Sequence, residues 1–106
     1  MKKETYCIIT TTVDSQEIAE QITTALLQAR LVACVQAHTV QSSYHWNSQI
    51  EISTEILLQM KSRSLHFDII EQTIKDLHTY DIPEIIMLPI QNANRDYLDW
   101  IDREVK

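Results

Sequence analysis

Apolar residues recur along this chain with two different periods, and the changes of period mark its elements. From Tyr6 to Thr12 the run Tyr-Cys-Ile-Ile followed by three threonines is rich in strand formers. Asp14 and Glu17 then stand at capping-box spacing. Ile18, Ile22, Ala25, Leu26 and Ala29 follow at helical intervals, which predicts a helix of roughly four turns. Between Leu31 and Trp46 the period becomes two, with Cys34, Gln36, His38, Val40, Ser42, Tyr44 and Trp46 on one side. From Ile50 the alternation is cleaner. Ile50, Ile52, Thr54, Ile56, Leu58 and Met60 point one way, and Glu51, Ser53, Glu55, Gln59 and Lys61 the other. Asn47-Ser48 between these runs reads as a hairpin turn. Ser64 is a plausible N-cap for a second helix with Phe67, Ile70, Ile74 and Leu77 on its apolar face, ending near His78. Glu84 to Ile90 reads as a fourth strand, with Pro89 on an edge or at its end because it lacks a ladder donor. Asn94 can cap a last helix that turns Leu98, Ile101 and Val105 inward.

The predicted order is β-α-β-β-α-β plus a C-terminal helix. Right-handed crossovers place both main helices on one face of a four-stranded sheet, an α+β sandwich of the ferredoxin-like kind. Its central hairpin has strands well past the usual five or six residues. Such a hairpin projects beyond a small domain, and its edges need covering. A second copy of the chain is the economical cover.

Composition narrows the function more than the fold. The 106 residues suit one domain, 1–106, with a small core. The net charge of -6, with nine scattered basic residues and no run longer than Lys2-Lys3, argues against a nucleic-acid surface. There is no glycine. Phosphate-cradling loops and dinucleotide fingerprints are thereby excluded. Positive-φ turns must fall to other residues, with Asn47, Asn92 and Asn94 the candidates. Cys7 and Cys34 lie in apolar strand-like segments outside any Cys-x-x-Cys, and no run of about 18 apolar residues exists. These features read as buried free thiols in a soluble, cytoplasmic protein without membrane insertion.

The richest stretch is Leu77-His-Thr-Tyr-Asp-Ile-Pro-Glu-Ile-Ile-Met-Leu-Pro-Ile90, where a helix ends at a histidine and an apolar strand begins after a carboxylate. Taken with Ala29-Arg-Leu-Val-Ala-Cys34, Ser43-Tyr-His-Trp46, Ile50-Glu51, Leu57 to Lys61 and Asp96-Tyr-Leu-Asp-Trp-Ile101, it resembles the CutA family of divalent-cation tolerance proteins. The resemblance runs from about Tyr6 to Ile101. It implies a homotrimer of ferredoxin-like subunits, similar in architecture to PII signalling proteins. It also implies an association with copper and other divalent metals, and no established catalytic reaction. The chain departs from the family pattern in places. His38-Thr39 replaces a Pro-Gly, Ser48 a turn glycine, and Thr79 a proline. Thr10 and Leu77 stand where copper-linked members carry a cysteine and a second histidine.

Copper or zinc wants imidazole or thiolate ligands held together. His78, at a helix C-terminus within the resemblance, is the first ligand candidate; its plainer role is to cap helix carbonyls. Cys34, which matches a family cysteine, is the second, and otherwise a small core residue. Trp46, Lys61, Tyr80 and Glu84 are candidates for a ligand-binding cleft between subunits; Trp46 is otherwise an interface anchor. His38 and His45 fall on opposite strand faces and cannot chelate together, and His66 reads as an exposed helix residue. Glu51 and Glu55 read as exposed edge charge, or as a weak hard-cation site. The function expected is therefore non-enzymatic: a homotrimer for copper or divalent-cation tolerance with weak Cu(II) or Zn(II) binding and no organic cofactor. The alternative is a PII-like scaffold holding a small molecule or a partner protein. An acylphosphatase would need an arginine-bearing loop after strand one, and Thr10-Thr-Thr-Val-Asp14 has no arginine. An RNA-recognition domain would need aromatic strand motifs that are missing.

Overall fold

The computed structural model describes residues 5–106, so Lys2 and Lys3 lie outside it. Its elements run β1 (Tyr6–Val13), α1 (Gln16–Gln28), β2 (Cys34–Trp46), β3 (Gln49–Arg63), a 3₁₀ turn (Ser64–His66), α2 (Phe67–Leu77), β4 (Ile86–Pro89) and α3 (Arg95–Glu104). The sheet order is β2-β3-β1-β4, antiparallel throughout, as the ferredoxin-like reading requires.

Register assigns the faces. Cys7, Ile9, Thr11 and Val13 stand opposite Ser62, Met60, Leu58 and Ile56, and turn toward α1 and α2. Ile22 and Leu26 of α1 and Ile70 and Ile74 of α2 complete that core, all fully buried. The alternate residues, Tyr6, Ile8, Thr10 and Thr12, share the other face with Cys34, Lys61 and Arg63. Helix α3 covers that face at one end, and the loop after α2 lies over it at the other. Ile101 is buried beneath α3, Tyr6 Oη donates to Asp102 at 2.8 Å, and Arg30 donates to the Arg103 carbonyl at 3.1 Å.

Several local readings change. The first helix is capped by Ser15, whose Oγ accepts from the Ile18 N–H at 3.2 Å; Asp14 lies one residue too early to be its cap. Ser64 opens the 3₁₀ turn rather than capping α2, which begins after His66 with no side-chain cap bond. Asn94 occupies the N-cap of α3 in extended backbone without a side-chain bond. Positive φ occurs at Arg30, Asn47 and Ser48, not at Asn92 or Asn94. Arg30 closes α1: its N–H reaches the Leu27 carbonyl and the Leu31 N–H reaches Leu26, the paired bonds of a Schellman end. Asn47 and Ser48 form the two-residue hairpin turn whose positive φ values match strand twist. The fourth strand is four residues, shorter than expected, because Glu84 is drawn aside into a bond from Thr10.

The hairpin strands are 13 and 15 residues long. The radius of gyration is 14.5 Å, against about 13 Å for a compact chain of this length. The excess is the projecting hairpin.

Candidate functional site

The α2–β4 loop, the end of β1 and the outer half of the hairpin enclose an open groove of about 1140 Å³. The sequence makes this wall in three ways. Helix α2 ends at His78, which is already extended, so the chain turns off the helix at once. Pro83 restricts the following loop. The length of the hairpin carries Tyr44, Trp46, Glu51 and Glu55 up beside that loop.

His78 fastens the loop to the sheet. Its Nε2 lies 2.8 Å from the Thr12 carbonyl, which only accepts, so Nε2 donates. Its Nδ1 accepts the Tyr80 N–H at 3.2 Å. Both ring nitrogens are therefore taken, and the imidazole is neutral in this arrangement. His78 caps α2 through its backbone N–H, which donates to the Ile74 carbonyl at 2.8 Å, while its ring reaches β1 and makes the side chain a clasp between elements. Tyr80 leans against it, with ring centroids 4.7 Å apart, and donates its hydroxyl to Glu55 at 2.6 Å. Burial pushes the Tyr80 phenol well above its usual range, and the Glu55 carboxylate pushes it further.

Glu55 is only 6% exposed. The expectation of an exposed edge charge fails for it and holds for Glu51. Thr10 donates its hydroxyl to Glu84 at 3.1 Å. Thr79 donates to Asp14 at 3.5 Å.

Three of the four cleft candidates, Trp46, Tyr80 and Glu84, line this groove together. Lys61 does not share it within one chain. It lies six residues down β3 from Glu55 and donates to Gln36. The two metal candidates are also apart. Cys34 stands opposite Lys61, which pairs with Ile8, whereas His78 holds Thr12 at the other end of β1. That offset is about 13 Å along the strand alone. The Cys34 thiol is free and lies 3.7 Å from Tyr97 Oη. Burial and this thiol push the Tyr97 phenol up to about 12. Among the described residues no three His, Cys, Asp or Glu side chains converge as a metal site. His38 and His45 are exposed, and His66 is half-buried against the Lys106 carbonyl rather than free on its helix. Asp14, His45 and Asp81 also line the groove; the two aspartates are loop residues whose positions depend on the turns around them.

The CutA1 divalent ion tolerance protein profile matches residues 7–104. The chain belongs to the CutA1 family. The divalent-cation tolerance protein CutA of Thermus thermophilus is 39% identical over 95 residues, 89% of this chain and 92% of that one. Among solved structures, the CutA of Archaeoglobus fulgidus, described as a periplasmic divalent cation tolerance protein, superimposes with a TM-score of 0.92 at 36% identity. It covers 95% of this chain, which in turn covers 99% of it. The CutA1 of the psychrotrophic Shewanella sp. SIB1 gives a TM-score of 0.92 at 37% identity, with 98% of each chain covered. The α+β architecture read from the sequence is therefore that of CutA1 proteins, long hairpin included.

Proposed function

We propose that this CutA1 chain acts as a non-enzymatic homotrimer in divalent-cation tolerance, binding copper or another divalent metal weakly. One observation carries the assembly: the hairpin and the open sheet face bear large apolar side chains that nothing in the chain covers. Ile50 and Ile52 near the hairpin tip are 71% and 62% exposed, and Leu88 on β4 is 50% exposed. On the order of 25 cal/mol per Å² favours removing such surface from water. Large exposed apolar side chains of this kind mark interfaces. The weakness of metal binding follows from the clasp. A metal at His78 must displace the Tyr80 N–H or the Thr12 carbonyl, and Cys34 is too distant to help.

A second reading, a PII-like trimer holding a small molecule or partner protein, is favoured by the groove with Trp46, Tyr80 and Glu84 in its wall. We place the protein in the cytoplasm on its two free thiols; because the Archaeoglobus relative is described as periplasmic, cell fractionation is the check.

Native mass spectrometry of the tag-free protein during a Cu(II) titration tests assembly and metal together. A mass of three chains is expected, with copper added only at micromolar metal. His78→Ala should lose part of that copper and keep the trimer. Monomers throughout would end the assembly reading; identical copper uptake by the variant would remove His78 from the site.

A further inference from the structure

We draw no further inference here: the strongest candidate, the exposed apolar pair Leu65 and Ile69 where the 3₁₀ turn leads into α2 on the helical side of the sheet, carries nothing because nothing in the structure shows what covers it.

Discussion

Tyr97 shows how one side chain can report on the far face of the sheet. Its phenol sits under α3 beside Cys34, and its pKa is pushed from an ordinary 10.0 to about 12, mainly by burial. A group whose folded value is raised contributes its stability fully below the unfolded value and loses it as pH climbs through the folded one. The contribution of Tyr97 is therefore intact below about pH 10 and gone above about pH 12. Melting temperature should fall through that window, and Tyr97→Phe should flatten the fall, as a pH series of thermal melts would show. At the opposite end of β1, His78 acts through hydrogen bonds on both nitrogens rather than through charge. That use was not legible in the sequence, because Thr12 and Tyr80 become its partners only once β1 and the loop are side by side. Glu55 was misjudged for a similar reason. Strand alternation gave its face correctly, but only the loop with Tyr80 lying over that face removes it from water.

Among the elements, α3 is the one whose role depends most on three-dimensional context. Its periodicity foretold Leu98, Ile101 and Val105 as inward positions; Ile101 and Val105 are buried and Leu98 is half-buried. Their surroundings are not the α1–α2 core, because α3 lies on the other face of the sheet. It is held there by Tyr6 to Asp102, by Arg63 3.6 Å from Asp102, and by Arg30 to the Arg103 carbonyl. The ion pairs are exposed and contribute little; Ile101 supplies most of the attachment. Ile101→Ala should destabilise the protein by about 3 kcal/mol, measurable by urea unfolding, with a larger loss than Asp102→Ala. The long strands and the two main helices were legible because their periods are regular over many residues. Caps and short elements were not. Ser15 displaces Asp14 by one position, and β4 loses its first two residues because Glu84 bonds Thr10. Such one-residue choices are settled by tertiary partners that local pattern does not contain.

For the whole molecule, the uneven distribution of apolar surface matters most. The core side of the sheet is sealed, while Ile86 and Leu88 on the other face and Ile50 and Ile52 on the hairpin stay open. Ile52→Lys puts a charge into that surface and should shift the assembly toward monomers in sedimentation experiments, with α1–α2 packing and far-ultraviolet dichroism preserved. An unchanged sedimentation coefficient would place the interface elsewhere. The hairpin also has a consequence in time. Its two strands are joined by two residues, so their pairing closes the shortest loops in the sheet and needs no other element. The middle strand β1 is different, since Tyr6 must find Arg63 and Cys7 must find Pro89 across most of the chain. Non-local closures of this kind are the slow ones. A newly made chain thus acquires its sticky outer ribbon before the strand that seats it, and must complete its sheet before that ribbon meets another copy.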